Sequence, residues 1–145
     1  MNRFGLTFDH LGLAVRRFEP ALSLLRGLGY RPGGSIFDPE QNVNLRLCTH
    51  DAMPALELIS PGNGKDPIDG LVSRFSNGIV YHMCFATDNL DTTLSRLVEA
   101  KLCLKCVVPP KPAILFGGRR VSFYILSGVG LIEIIEGPLP SQVMA

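Results

Sequence analysis

Two stretches of the chain, Leu56-Glu57-Leu58-Ile59 and Ile132-Glu133-Ile134-Ile135, each place one acidic residue inside a run of aliphatic residues. Short aliphatic runs of this kind are typical of buried strands. A carboxylate within such a strand is costly to bury unless it is paired or bound to a cation, so each Glu either points to solvent or has a partner. Glu133 follows Glu57 by 76 residues, and the recurrence of the same interruption indicates an internal repeat.

A second match supports the repeat. A shift of 72 residues places His10 on His82, and it also aligns an alanine and one face of a helix: Ala14 on Ala86, Leu22 on Leu94, Ser23 on Ser95 and Leu25 on Leu97. The two shifts differ by four residues, which is the size of an ordinary loop insertion. Each half of the chain therefore carries a His in its first predicted strand and a Glu in its last.

The periodicity of the apolar residues predicts the same order of elements in both halves, a strand, a helix and three strands. Helices are predicted over Glu19–Leu28 and Asp91–Lys101, and the strand near Ser35–Phe37 is the one with the weakest pattern. The prolines at 109, 110 and 112 predict a stiff connector. We expect one α+β domain over residues 1–145, with module 1 at about 5–61, a linker helix at about 66–76 and module 2 at about 77–137.

Composition limits the classes of function. The 145 residues are 46% hydrophobic and 19% charged, with a net charge of +1. This composition favours a packed core and offers no electrostatic footprint for nucleic acid or an anionic membrane. No apolar run approaches the roughly 18–20 residues that cross a bilayer, and no apolar signal region follows the first residues. We expect a cytoplasmic protein whose four cysteines are reduced.

The polar residues of the repeat offer a metal site. His10, Glu57, His82 and Glu133 would converge if the two modules pack around a pseudo-twofold axis. Two neutral imidazoles and two carboxylates suit Co, Ni, Zn, Mn or Fe and leave room for water or substrate oxygens. Taken singly, each His is more often a hydrogen-bonded core residue and each Glu more often a solvated one, and His50 has no counterpart in the repeat.

The chain resembles the vicinal oxygen chelate superfamily, which includes glyoxalases and bleomycin-resistance proteins, and within it most closely the methylmalonyl-CoA epimerases. The resemblance runs from about Phe8 to Glu136. The motifs that carry it are Asp9-His10-Leu11-Gly12-Leu13-Ala14-Val15, Asp38-Pro39-Glu40-Gln41, Glu57-Leu58-Ile59-Ser60-Pro61, Asp66-Pro67-Ile68, His82-Met83-Cys84-Phe85-Ala86, Asp88-Asn89-Leu90, Gly117-Gly118-Arg119-Arg120-Val121 and Ile132-Glu133-Ile134-Ile135-Glu136.

This resemblance implies two tandem βαβββ modules that form one half-open curved barrel around a divalent metal ion. It implies His10, Glu57, His82 and Glu133 as metal ligands, with Glu136 as the alternative carboxylate in the last strand. It also implies a metal-dependent isomerase that epimerises a 2-methylmalonyl-CoA-like acyl thioester by α-proton abstraction through a metal-stabilised enolate. Glu40 and Glu133 would be the two bases, and the protein would be a homodimer.

Other functions stay open. The epimerases often have Gln where this chain has Glu57, and a Glu there is more like a glyoxalase, so a glyoxalase-like lyase or a biosynthetic relative with another substrate is an alternative. A metal-free drug-binding resistance protein is another, although the chain has no Trp and three Tyr for stacking on an aromatic drug. Ring-cleaving dioxygenases use one carboxylate, which would leave Glu57 surplus.

Two further motifs have ordinary interpretations. Cys103 and Cys106 form a lone CxxC on a predicted strand, where residues three apart face opposite sides, so chelation is disfavoured. Arg119, Arg120 and Lys111 could meet the phosphates of CoA, but a solvated loop is the ordinary interpretation of this segment.

Overall fold

The computed structural model describes residues 2–63 and 67–137, with the side chain of Pro67 excepted. They form nine strands, three α-helices and one short 3-10 helix at Ile114–Phe116. The strands are β1 (Thr7–Ala14), β2 (Arg31–Pro32), β3 (Ile36–Asp38), β4 (Val43–Thr49), β5 (Ala55–Pro61), β6 (Ile79–Thr87), β7 (Leu104–Pro112), β8 (Arg120–Leu126) and β9 (Gly130–Glu136). The helices are α1 (Ala21–Gly27), α2 (Pro67–Arg74) and α3 (Leu90–Glu99).

The described residues divide into two compact units, and the divisions fall inside β1 and β6. The first unit is His10–Tyr81, and the second comprises residues 2–9 and 82–137. The modules at about 5–61 and 77–137 stay a prediction, and the unit His10–Tyr81 also includes the segment between them. The predicted linker helix is α2, and Asp66, where that prediction began, lies outside the described residues.

The first unit is a mixed sheet with the strand order β1-β5-β4. β1 runs parallel to β5, β4 runs antiparallel to β5, and the short β2 and β3 both pair with β4. Behind it, α1 packs its buried Leu22 and Leu25 into a cluster with Tyr30, Cys48 and Leu58. The strand that the sequence signalled most weakly is present as β3.

The second unit repeats this arrangement with the strand order β6-β9-β8-β7. β6 runs parallel to β9, and β8 pairs antiparallel with both β9 and β7. In both units the first and last strands are therefore parallel neighbours, and the intervening strands continue the sheet on one side. The predicted α+β class is confirmed, the second half has the predicted βαβββ order, and the first half adds the two-residue strand β2 to that order.

Among the elements whose bounds differ from the prediction, two involve prolines. The helix predicted from Glu19 begins at Ala21, because Pro20 occupies the N-cap position and its ring offers no side-chain hydrogen bond to the first turn. The prolines expected to form a connector are the second half of β7, which pairs with β8 as far as Pro112. β7 stands at the end of the strand order, where proline is tolerated, and its register with β8 shifts once on each side of Val108.

Candidate metal centre

The first unit holds one buried His–Glu pair. Gly12 of β1 is in register with Glu57 of β5, and His10 lies two residues before Gly12 on the same strand. Residues two apart share a face of the sheet, so the imidazole and the carboxylate point the same way, with no side chain at Gly12 to separate them. Nε2 of His10 and Oε2 of Glu57 are 3.6 Å apart, and the two side chains are 0% and 5% exposed.

The second unit holds an equivalent pair. Cys84 of β6 is in register with Glu133 of β9, and His82 lies two residues before Cys84. Nε2 of His82 and Oε1 of Glu133 are 3.4 Å apart, with side-chain exposures of 0% and 4%. The ring of Phe123, the residue of β8 in register with Glu133, packs edge-on against the His82 ring at 5.6 Å between centroids.

The two pairs have identical construction. In each pair the two strands are parallel, and the His lies two residues before the residue that is in register with the Glu. The shifts of 72 and 76 residues read from the sequence therefore correspond to one arrangement of strands that occurs twice.

The donor atoms fit a transition-metal ion. A hydrogen bond between an imidazole nitrogen and a carboxylate oxygen is about 2.7–3.2 Å long, and both pairs are longer than that. Two ligand atoms that each lie about 2.1 Å from a tetrahedral ion are about 3.4 Å apart, which matches both separations. Each of the four residues offers one ligand atom with which it could hold a metal ion. An ion would also offset the cost of burying the two carboxylates.

Glu136, the alternative carboxylate, has a different environment. It lies three residues after Glu133 on β9 and so faces the other side of the sheet. Its Oε1 accepts a hydrogen bond of 2.7 Å from Nη2 of Arg120, and this ion pair raises the pKa of the Arg120 guanidinium.

Glu40 lies in an exposed turn directly after β3. The turn is organised by the buried carboxylate of Asp38, whose Oδ1 accepts hydrogen bonds from the backbone N–H groups of Glu40 (2.9 Å) and Gln41 (3.3 Å). The side-chain amide of Gln41 donates to Oδ2 of Asp38 at 3.1 Å. The backbone of Glu40 is thus fixed, while its carboxylate extends from an exposed position.

Arg119 is not the solvated residue that its loop suggested. Its terminal nitrogens, Nη1 and Nη2, are buried and have no hydrogen-bond partner in the described part of the chain. Burial lowers the pKa of the guanidinium, and the nearby Asp9 and Cys84 act in the opposite direction. The sequence offers no signal that separates Arg119 from Arg120, because both follow Gly117 and Gly118, whose positive φ turns the chain sharply before the two arginines.

The four cysteines have no disulfide among them. Cys48 and Cys84 are buried, whereas Cys103 and Cys106 are exposed. Among the residues that the structure describes, no helix is long and apolar enough to cross a membrane.

Comparison with known proteins gives one family and a consistent group of relatives. The model of the Glyoxalase/Bleomycin resistance protein/Dioxygenase superfamily matches residues 9–123. The mitochondrial methylmalonyl-CoA epimerase of Bos taurus is 26% identical over 95 residues, which are 65% of this chain and 54% of that protein. The chain therefore matches about half the length of this curated relative.

Solved structures show the same fold. The crystal structure of methylmalonyl-CoA epimerase from Mycobacterium tuberculosis is 19% identical, with a TM-score of 0.72 over 95% of this chain and 91% of that one. A variant of the Streptomyces coelicolor epimerase in complex with 2-nitronate-propionyl-CoA is 17% identical, with a TM-score of 0.72 over 91% of this chain and 98% of that one.

Proposed function

The chain belongs to the Glyoxalase/Bleomycin resistance protein/Dioxygenase superfamily, and we propose that within it the protein is a metal-dependent isomerase. Its substrate is a 2-methylmalonyl-CoA-like acyl thioester, in which it inverts the carbon between the carboxylate and the thioester. The proposal rests above all on the duplicated His–Glu pair, buried in both units and built on the same strand register.

The four side chains of the two pairs are proposed to share one divalent ion. Such an ion acts as a Lewis acid that draws negative charge toward the oxygen of a thioester carbonyl. Glu57 and Glu133 bring two negative charges to it, while His10 and His82 bring none when they are neutral. The donor set suits Co, Ni, Zn, Mn or Fe and does not select among them.

Inversion of a carbon that carries an acidic proton requires a base on each face. We assign these roles to Glu40 and Glu133, each of which would remove the proton from one epimer and return it to the other. Glu40 extends from a turn whose backbone Asp38 fixes, so its carboxylate can move without disturbing the sheet. Glu133 is held by β9, opposite Cys84 and beside His82.

The relatives support the acyl-CoA class of substrate. The curated relative and the two solved structures described above are methylmalonyl-CoA epimerases, and the structure from Streptomyces coelicolor carries a propionyl-CoA analogue. Because the identities are 17–26%, these relatives support an acyl-CoA substrate more strongly than they support the methylmalonyl group in particular. Cytoplasmic location and a homodimer stay predictions.

A glyoxalase-like lyase is the second candidate, and one residue favours it. Glu57 is a carboxylate where the epimerases often have the neutral Gln. The ligands of the ion would then carry more negative charge, and the ion would withdraw less electron density from the substrate. The metal-free drug-binding alternative is less favoured, because a binder has no need for two buried carboxylates beside imidazoles.

Deuterium exchange tests the proposal. The purified protein, prepared without a polyhistidine tag and with its metal content measured, is incubated with (2R)- or (2S)-methylmalonyl-CoA in D2O. We expect about one ion per chain, deuterium at C2 and conversion to the other epimer. Bound metal without exchange would transfer the assignment to another carbonyl substrate such as a glutathione hemithioacetal, and failure to bind any divalent ion would contradict the enzyme class.

A further inference from the structure

Arg119 is held in place by its backbone and by one side-chain nitrogen. Its N–H donates to the carbonyl of Phe116 at 3.2 Å, and its carbonyl accepts from the N–H of Ala113 at 3.0 Å. Nε donates to the carbonyl of Glu136 at 3.0 Å. The side chain also lies against Gly137, where an added Cβ would be 3.2 Å from Nε. The long Arg side chain is therefore fixed before any ligand arrives.

The far end of the same side chain has no hydrogen-bond partner in the described residues. An Arg carries five N–H donors, and with Nε bound to Glu136 the four donors on Nη1 and Nη2 are left. Both atoms are buried without a hydrogen-bond partner in residues 2–63 and 67–137. A buried guanidinium with unused donors lowers stability, because it has lost its hydration and gained little in return. An anion that accepted those bonds would remove this cost.

The guanidinium lies beside β9, the strand that carries Glu133, because its Nε donates to the carbonyl of Glu136 on that strand. Asp9 and Cys84 lie near enough to influence its pKa. Cys84 is the register partner of Glu133 and shares a face of β6 with His82. Cys84 is thus near both the guanidinium of Arg119 and the proposed metal ligands of this unit.

We propose that Arg119 binds the free carboxylate of the acyl group through Nη1 and Nη2. This inference rests on the proposed function and names the residue that distinguishes a malonyl-type thioester from one without a second acid. The planar edge formed by the two nitrogens matches the two oxygens of a carboxylate, so both charge-assisted hydrogen bonds form at once. Bound in this way, the carboxylate fixes the rotation of the acyl group about the carbon that is inverted.

The acyl carboxylate fits this place better than a phosphate of CoA. A carboxylate is small and planar and can enter a buried position, whereas the CoA phosphates are large, multiply charged and heavily hydrated. The neighbouring Arg120 is exposed and already paired with Glu136. The two adjacent arginines therefore differ in their surroundings. The terminal nitrogens of Arg119 are buried without a hydrogen-bond partner in the described residues, whereas Arg120 is exposed and paired with Glu136.

The test compares two ligands that differ in one group. Methylmalonyl-CoA and propionyl-CoA share the CoA portion, and only the first has the carboxylate. Their dissociation constants are measured by calorimetry for the wild type, Arg119→Gln, Arg119→Lys and the control Arg120→Gln, each as purified and again after metal chelation. Unfolding temperature and circular dichroism establish that each variant is folded.

We expect the wild type to prefer methylmalonyl-CoA and Arg119→Gln to lose at least about tenfold of that preference, because a hydrogen bond to a charged group is worth more than a neutral one. Arg119→Lys keeps part of the preference, and Arg120→Gln keeps all of it. The unfolding temperature of ligand-free Arg119→Gln changes little, since loss of the hydrogen bond from Nε to the Glu136 carbonyl is offset by removal of a buried guanidinium with unused donors.

Three results would overturn the inference. If Arg119→Gln weakens both ligands equally, the residue binds a phosphate of CoA instead. If it retains the wild-type preference while deuterium exchange persists, the enzyme assignment stands and this inference fails. If the wild type shows neither preference nor exchange, both fail together.

Discussion

Glu133 and Glu136 are three residues apart on β9 and have opposite surroundings. Glu133 is buried beside His82, and Glu136 is paired with Arg120 on the other face. We predict that Glu133→Gln weakens the binding of a divalent ion by about tenfold or more, because replacing a ligand should cost at least as much as losing a residue that supports one. Glu136→Gln, the matched control, leaves metal affinity unchanged. Titration with Zn or Co followed by calorimetry measures both, and equal losses in the two variants would contradict the assignment of Glu133.

The proposed role of Glu40 as the base on one face of the carbon can be tested by following each epimer separately. If it serves one face of the carbon and Glu133 the other, Glu40→Gln should abolish epimerisation, a loss of about a hundredfold or more. Deuterium exchange should survive for the epimer whose proton faces Glu133 and disappear for the other. Stability and metal content are expected to be unchanged, because the turn is held by the backbone N–H of Glu40 and the carboxylate of Asp38.

NMR spectra of (2R)- and (2S)-methylmalonyl-CoA in D2O follow each epimer separately. Exchange of both epimers at the wild-type rate would remove Glu40 from the proposed mechanism, and loss of exchange for both would mean that the two faces are not served independently.

Single residues show where sequence reasoning succeeds and where it ends. His10, Glu57, His82 and Glu133 could be selected because the repeat placed them at equivalent positions, and both His–Glu pairs are present. Arg119 could not be separated from Arg120 in the sequence, since two adjacent arginines after two glycines have the same local pattern. Their difference arises from Gly137, Glu136 and the buried surroundings, which only folding brings together.

At the scale of elements, the start of α3 has a cap that α1 lacks. The side chain of Asn89 accepts a hydrogen bond of 3.0 Å from the backbone N–H of Thr92, whereas Pro20 offers none at α1. We predict that Asn89→Ala lowers the free energy of unfolding by about 1 kcal/mol. The exposed neighbour Asp88, substituted by Ala, provides the control. Urea denaturation measures both, and equal midpoints for Asn89→Ala and the wild type would show that the cap carries no stability.

Most strands and helices could be predicted from the spacing of apolar residues, but their ends could not. Alternation of apolar residues defines β4 clearly, and short aliphatic runs, each interrupted by one Glu, define β5 and β9. The second half of β7 was hidden because its prolines disfavour strand pairing in a central position. Its place at the end of the strand order, a property of the assembled sheet, is what permits them.

At the scale of the whole chain, the repeat is the property on which the proposed function depends. Each unit supplies one imidazole and one carboxylate from parallel neighbouring strands. Two ligands alone bind a transition metal weakly, and structural and catalytic sites in proteins have three or four. A duplicated module can reach that number only if both copies contribute to the same ion, so the proposal requires the pairs to act together.

The count of bound ions in pair-deletion variants tests this requirement most directly. The variants are His10→Gln with Glu57→Gln and, separately, His82→Gln with Glu133→Gln, and elemental analysis measures metal per chain after equilibrium dialysis and a check of folding by circular dichroism. We predict one ion per chain in the wild type and none in either double variant. Two ions in the wild type, or an ion that persists when either pair is deleted, would contradict the sharing of one metal by the two halves.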